Sequence, residues 1–530
     1  MHTDIYLFFK KTKVVKVITD TSKNNKRIAK NTLLLYFRML LTMVVSLYTS
    51  RIVLGALGVE DYGIYNVVGG VVAMFSMLSG SLSAAISRFI TFELGAGNKE
   101  KLVRVFSSSV TIQLGLCAIV LILAETVGLW FLNSKMVIPE SRVYAANWVY
   151  QLSLLTFVVN LISIPYNAAI ISHERMSAFA YISIFEAISK LIVAYCIIIS
   201  PIDRLILYAI MLAAIAVIIR LIYGVYCKRR FEECTYHFIY DHDLLKQMFG
   251  FAGWNFIGAS SSLLRDQGGN IVINLFCGPA VNAARGIAFQ VNTAIHSFVT
   301  NFMIALNPQI TKSYASGDHK YLMTLLFHGA RLSYYILLLL SLPVIVNTHY
   351  ILQLWLGQVP EHTVLFVQLV LVFGMCESIS SPLITAMLAT GRIRNYQLVV
   401  GGLQMGNLPV SYCLLRIGAM PEAVLIVAIV ISQLCLASRL YMLRGMIGLK
   451  ARDFIRKVYF NVIGVTAFSA IIPIMLKNII GENIWSFIGL CALTVTSTLL
   501  VEFYVGCTRK ERQFIISKVK SIIKRNYDKH

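Results

Sequence analysis

The feature that most constrains this chain is an apolar run of roughly 18 to 25 residues that recurs along almost its whole length. Each run is long enough to carry a helix across about 30 Å of hydrocarbon. About fourteen are read from the sequence, centred near Met43, Ala73, Ile119, Leu154, Ile188, Ala213, Ile257, Val291, Leu337, Val370, Gly402, Val427, Val465 and Leu493. The remaining composition agrees, because 57% hydrophobic against 14% charged residues is more apolar surface than one soluble core can hide. The sequence therefore predicts an all-α, polytopic membrane protein.

The formal charge of +22 would suit nucleic acid only if the basic residues gathered on one soluble face, and the runs leave no soluble domain, so nucleic acid is not expected as a partner. With a cytoplasmic N-terminus and one crossing per run, about 35 Lys and Arg fall in cytoplasmic segments, about 5 outside and about 7 within the membrane. Both basic ends, Lys10 to Lys30 and Arg509 to Lys529, then face the cytoplasm beside anionic membrane lipids. The N-terminal stretch does not read as a cleaved signal, since the apolar run after it is too long and lacks a small-residue cleavage site. Ten scattered cysteines show no zinc or disulfide spacing and read as small packing residues.

Repeats decide membrane folds, and a shift of about 220 residues brings several features into line. It carries Gly58 onto Gly278, and SRFITFELGAGNKEKL (Ser87 to Leu102) onto NPQITKSYASGDHKYL (Asn307 to Leu322), matching Gly97 with Gly317 and Asn98 with Asp318. At nearly the same shift Ser163, Pro165, Ala169 and Arg175 fall on Ser380, Pro382, Ala386 and Arg392. Each copy holds six runs, an even number, so the two six-helix lobes are related by a pseudo-two-fold along the membrane normal, with two C-terminal helices added. The predicted organisation is a basic cytoplasmic segment over 1–29, a first lobe over 30–226, a charged connector over 227–243, a second lobe over 244–443, two helices over 444–507 and a basic tail over 508–530.

Charge is costly in hydrocarbon, which makes intramembrane ionisable residues the most informative positions. On the first run Asn31, Arg38, Thr42, Ser46 and Thr49 share one helical face. On the seventh, Asn255, Ser262, Asp266, Asn270 and Asn274 form a like stripe with Arg265 beside Asp266, and on the eighth Asn282, Arg285, Asn292 and His296 do the same. Interhelical hydrogen bonds in a packed bundle account for Ser, Thr and Asn at such positions. Three arginines fit that account less well and point to a water-filled cavity between the lobes. Arginine donates two parallel hydrogen bonds from a planar fork and keeps its charge, so the cavity suits an anionic, phosphorylated passenger, with Arg38, Arg265 and Arg285 on phosphate and Asp266, Asn270 and Asn292 beside them.

Glu186 and Lys190, four apart on the fifth run, read as a self-neutralising pair. Glu125 and Glu377, lone carboxylates on the third and tenth runs, are balanced between proton or sodium coupling and protonated packing groups. Pro165 and Pro382 each remove a backbone donor and read as hinges or as fixed bends. Arg51, Glu60 and Asp61 read as interfacial anchors. No phosphate-cradling glycine loop, nucleotide fingerprint or metal-ligand cluster is present, which argues against an enzyme and against a bound cofactor other than a coupling ion.

At this point the residues bring a family into view. RIVLGALGVEDYGIYNVVGGVVAMFS followed by SRFITFELGAGN resembles bacterial polysaccharide-export flippases of the multidrug/oligosaccharidyl-lipid/polysaccharide exporter (MOP) superfamily. SLLRDQGGNIVINLFCGPAVNAARGIAFQVN, continuing to NPQITKSYASGD, is similar to its lipopolysaccharide-biosynthesis members, and the likeness covers about residues 24 to 505. The resemblance implies a fourteen-helix transporter in the bacterial inner membrane, both termini cytoplasmic, that flips a polyprenyl-diphosphate-linked oligosaccharide by alternating access. An O-antigen, capsule or exopolysaccharide repeat unit would be the cargo, with glycosyltransferases and a glycan polymerase as working partners. Related lipid flippases line a central cavity with arginines from helices one, two and eight; Arg38 and Arg285 match the first and last, whereas helix two is read as offering only Asn66, Gly69 and Gly70. The rival expectation is an ion-coupled multidrug or organic-cation antiporter on the same fold, resting on Asp266, Glu125 and Glu377.

Overall fold

The computed structural model describes residues 27–513, apart from parts of 47–75 and the short stretches 136–137, 240, 357–358, 478–482 and 510, together with residue 516. The readings placed on the first 26 residues, on Glu60, Asn66, Gly69 and Gly70, and on the tail beyond 516 lie outside the described residues.

A peptide group facing hydrocarbon has no water to bond, so a chain this apolar must satisfy its backbone within each segment. The described residues accordingly form helices and no strand. In chain order these are α1 (Arg27–Gly58), α2 (Ser76–Ala96), α3 (Lys99–Ser134), α4 (Val143–Ser172), α5 (Met176–Ile199) and α6 (Arg204–Arg230). There follow α7 (His242–Ala315), α8 (His319–Val346), the short α9 (Thr348–Leu356) and α10 (Thr363–Thr390). The last are α11 (Arg394–Arg416), α13 (Ala451–Lys477) and α14 (Ile484–Gly506), with α12 (Ala423–Ile447) between the first two. Eleven of the described helices are long and apolar enough to cross a membrane. Of the longer helices, α2 and α7 fall outside that set; they correspond to the second, seventh and eighth expected runs, and the polar stripes of α7 lower its hydropathy.

Two compact units form, Met1–Ala259 with Ile304–Tyr321 and Ser260–Met303 with Leu322–His530. In the first, Val120, Ala124, Val149, Tyr150, Leu154 and Leu205 of α3, α4 and α6 pack into one core. In the second, Val272, Ile273, Ala288, Phe366, Val370 and Val424 of α7, α10 and α12 do so. Large apolar side chains on the outer surface, such as Ile199, Leu221 and Phe460, stay exposed, as lipid-facing residues do.

The glycines paired by the repeat adopt the same backbone conformation. Gly58 has φ 79° and Gly278 φ 81°, the latter a break inside α7, in a left-handed region that a side chain makes costly. Gly97 and Gly317 both have φ 74° and each follows the end of a helix. The residue after each starts the next helix: Asn98 Oδ1 accepts from the Lys101 amide at 3.0 Å, and Asp318 Oδ1 from the Tyr321 amide at 3.0 Å. The Gly-Asn and Gly-Asp pairs are thus a helix stop joined to a helix cap, which explains why those two positions stand out in sequence.

Asp61, read as an interfacial anchor, belongs to a clasp. The Arg142 guanidinium donates to Asp61 at 2.7 and 2.5 Å and to Asp203 at 2.6 Å, and Asp203 also accepts from the Leu205 and Ile206 amides that open α6. Burial alone would raise the Asp203 carboxyl, but these donors outweigh it and hold the group below the usual range. Within α3, Ala124–Gly128 is a π-turn whose Ala124 carbonyl accepts both the Leu129 amide and, at 2.8 Å, the Tyr150 hydroxyl.

Candidate substrate-binding site

The polar face of α1 opens onto a cavity of about 520 Å³ inside the first unit. Arg38, Thr42, Ser46 and Thr49 line it with Ser183, Glu186 and Lys190 of α5. Arg38 donates from Nη1 to the Ser183 hydroxyl at 3.3 Å, and its guanidinium lies 4.6 Å from the Phe179 ring centre, contacts that help to aim the fork. Glu186 and Lys190 form the 2.7 Å pair that their spacing suggests, and both line the same cavity. A phosphate entering here would meet Arg38, the Glu186–Lys190 pair and the hydroxyls of Thr42, Ser46, Thr49 and Ser183. Asn31, on the same face of α1, lies elsewhere: its amide donates to the Glu174 carbonyl at 3.4 Å.

In the second unit the glycines of α7 let its own side chains lie close. Arg285 bonds the Asn270 side-chain oxygen, donates to the Asp266 carbonyl at 3.2 Å and lies over Phe289 at 4.4 Å. A Cβ at Gly269 would come within 2.8 Å of its Nη2, so any larger residue there would make that guanidinium shift. Arg285 is 3% exposed, so phosphate would reach it only by displacing these partners. Arg265 donates to its neighbour Asp266 at 2.9 and 3.3 Å and lies 5.0 Å from the Phe373 ring centre. Asn292 packs against Gly374 of α10, where a Cβ would fall 2.6 Å from its Oδ1. The side chains of Asn274 and Asn282 lie outside the described residues.

Glu377 lies within electrostatic reach of Arg265, His296 and Arg439. Glu125 sits in the π-turn of α3 and accepts from Gln151 at 3.1 Å. Pro165 and Pro382 are buried inside α4 and α10.

Three charged residues escaped sequence reasoning. Helix two does carry an arginine: Arg88 of α2 is held over the rings of Phe89, Phe92 and Phe251 at 4.6 to 5.6 Å, which corrects the reading of that helix as offering only Asn66, Gly69 and Gly70. Arg439 of α12 is 1% exposed, bonds Tyr396, and finds no hydrogen-bond partner for Nε or Nη1 among the described residues. Glu174, in the turn between α4 and α5, has φ 58° and a side chain 1% exposed. It accepts from Gln309 at 2.6 Å and pairs with Lys312 at 2.8 Å and Arg27 at 2.7 Å. Its only sequence signal was its neighbour Arg175 in the repeat.

The helices, the glycine break and the polar cavity define a class, a multi-pass membrane protein with the fold of MOP-superfamily transporters. An outward-facing MATE-family multidrug-resistance transporter of that superfamily superposes with a TM-score of 0.68 at 14% identity, over 80% of this chain and 96% of the other. A single-residue mutant of the Vibrio cholerae MATE transporter VcmN gives 0.67 at 18%, over 81% and 98%. A MOP-superfamily transporter from Pyrococcus furiosus, described as having a binding pocket of reversed polarity, gives 0.65 at 14%, over 80% and 96%. These likenesses speak to the fold alone. Residues 26–314 match the family model described as polysaccharide biosynthesis protein, and the chain belongs to that family. The uncharacterized membrane protein EpsK of Bacillus subtilis (strain 168) is 21% identical over 310 residues, 57% of this chain and 60% of EpsK, so the match spans less than two thirds of that relative. The family ties the chain to polysaccharide biosynthesis, and the likenesses give it the fold of MOP-superfamily transporters.

Proposed function

We propose that the chain is a flippase that moves a polyprenyl-diphosphate-linked oligosaccharide from the cytoplasmic to the outer leaflet of the bacterial inner membrane by alternating access. Its termini are cytoplasmic, glycosyltransferases supply the cargo and a glycan polymerase consumes it. The observation that carries this reading is the Arg38 cavity: an intramembrane guanidinium, held by Ser183 and Phe179, opens onto a hollow lined by hydroxyls. Hydrocarbon tolerates such a charge where it serves an anion or faces water. Arg265 and Arg285 supply the second unit's cations, Asp266 orients Arg265, Asn270 holds Arg285, and Asn292 offers a further amide. Pro165 and Pro382 act as hinges, and coupling to sodium or protons falls to Glu125 or Glu377.

The test is glycan export in cells. Arg38→Ala abolishes it, and Arg38→Lys, which keeps the charge and loses the fork, leaves an intermediate rate. Export at the normal rate by a fully expressed Arg38→Ala variant overturns the reading. One observation favours the rival antiporter: Glu377 and His296 interact, a pairing suited to carrying a proton. If that reading holds, Glu377→Gln raises drug sensitivity while Arg38→Ala leaves glycan export intact.

A further inference from the structure

A second cavity, of about 780 Å³, lies within the second unit at one end of α8, α13 and α14, and none of Arg265, Arg285 or Glu377 lines it. Two π-turns shape it. In Ile455–Tyr459 the successive residues Arg456 and Lys457 both line the cavity, although an ordinary helix turn would set neighbours about 100° apart. In Glu502–Gly506 the Gly506 carbonyl turns to Arg331, which donates to it at 3.1 Å.

Charge is unbalanced there. Glu511 is taken by Arg331 at 2.5 Å and His328 at 2.8 Å, leaving Asp453 as the one carboxylate among the lining residues. Lys450, Arg456 and Lys457 line the cavity without an ion pair among the described residues. Beyond residue 513 the sequence is net basic, with Lys518, Lys520, Lys524, Arg525 and Lys529 against Asp528. An apolar and open flank adjoins in sequence: Val505 of the lining is 46% exposed, Tyr504 of the same π-turn 63%, and Phe460, which follows the turn carrying Arg456 and Lys457, 64%. The distribution of basic residues assigns this end to the cytoplasmic face, where anionic headgroups lie.

We propose that this cavity binds the phosphate of an anionic phospholipid of the cytoplasmic leaflet, with Lys450, Arg456 and Lys457 on the headgroup and the acyl chains along Phe460, Tyr504 and Val505. The site is separate from the cargo site and stands whatever the cargo. Phosphate is the recognised chemistry; the open apolar flank selects lipid over a soluble phosphate.

The full chain is purified in detergent, and retention of phosphatidylglycerol or phosphatidylcholine with matched acyl chains is counted by native mass spectrometry, with inorganic phosphate titrated separately. Phosphatidylglycerol binds at least about 10-fold more tightly than phosphatidylcholine, and combining Lys450→Ala, Arg456→Ala and Lys457→Ala weakens it about 100-fold. These three side chains are exposed, so the variant folds. Asp453→Asn, which removes the opposing charge, tightens binding about 3-fold. Equal retention by wild type and the triple variant overturns the site. Phosphate that binds with the same sensitivity to the triple variant, without any preference for phosphatidylglycerol, assigns the cations to a soluble anion and overturns the lipid.

Discussion

Glu174→Ala is the perturbation whose size the structure predicts best. The carboxylate is 1% exposed and holds Lys312, which is 25% exposed, together with Gln309, while Arg27 at 48% exposure adds little after screening by solvent. Removing one member of a buried pair leaves an uncompensated charge, so the loss is about 3 kcal/mol, carried by Lys312 and Gln309. Lys312→Ala leaves the carboxylate with Arg27 and Gln309, and costs about 2 kcal/mol. The double variant loses less than the sum, with a coupling energy of about 1 to 2 kcal/mol. The backbone supplies an internal control. At φ 58° glycine is unstrained where alanine is not, so Glu174→Gly is more stable than Glu174→Ala by about 1 kcal/mol although both lack the carboxylate. Unfolding in mixed micelles, followed by maleimide labelling of the buried Cys227 and Cys234, reads all four variants. Additive losses, or equal stability of Glu174→Ala and Glu174→Gly, refute the reasoning.

The remaining predictions concern the tail and the π-turn of α3. Burial would raise the Glu511 carboxyl, but hydrogen bonds from His328 and Thr508 and the charge of Arg331 outweigh it and hold the group at about 2 instead of 4.5. A depressed carboxyl stabilises the fold above its unfolded pKa, so this contribution, about 3 kcal/mol, is complete above pH 4.5 and lost as pH falls towards 2. Melting curves across that window are steeper in pH for wild type than for Glu511→Gln, and matching slopes contradict the assignment. At Gly128 an added Cβ would run into the Tyr150 hydroxyl, so Gly128→Ala destabilises by about 3 kcal/mol, and Tyr150→Phe added to it recovers part of the loss in the same labelling assay.

What the sequence made legible was whatever the membrane itself dictates. Apolar length marked the helices, and the Gly97-Asn98 and Gly317-Asp318 pairs announced helix ends because few residues can stop one helix and cap the next. The stripe on α1 was legible because Arg38, Thr42, Ser46 and Thr49 repeat at helical spacing, and those four side chains do line one cavity. Asn31 shares the spacing but not the cavity, since spacing says which face a residue takes and not what packs on it at each level. Glu174 and Arg439 were illegible for a shared reason. Glu174 lies in a turn, where charge is ordinary, and Arg439 lies about two turns before the end of α12 among apolar residues; only packing reveals that both are buried. Arg285 was found, but its closure by Asn270 and the Asp266 carbonyl depends on the space left at Gly269, which no periodicity encodes.

Reconstitution tests the central claim most directly. Purified protein in vesicles is given a fluorescent polyprenyl-diphosphate oligosaccharide, and the fraction reaching the far leaflet is measured with a quencher that cannot cross. The account predicts transfer by wild type, none above protein-free vesicles for Arg38→Ala, and an intermediate rate for Arg38→Lys. Equal transfer by wild type and Arg38→Ala would contradict it.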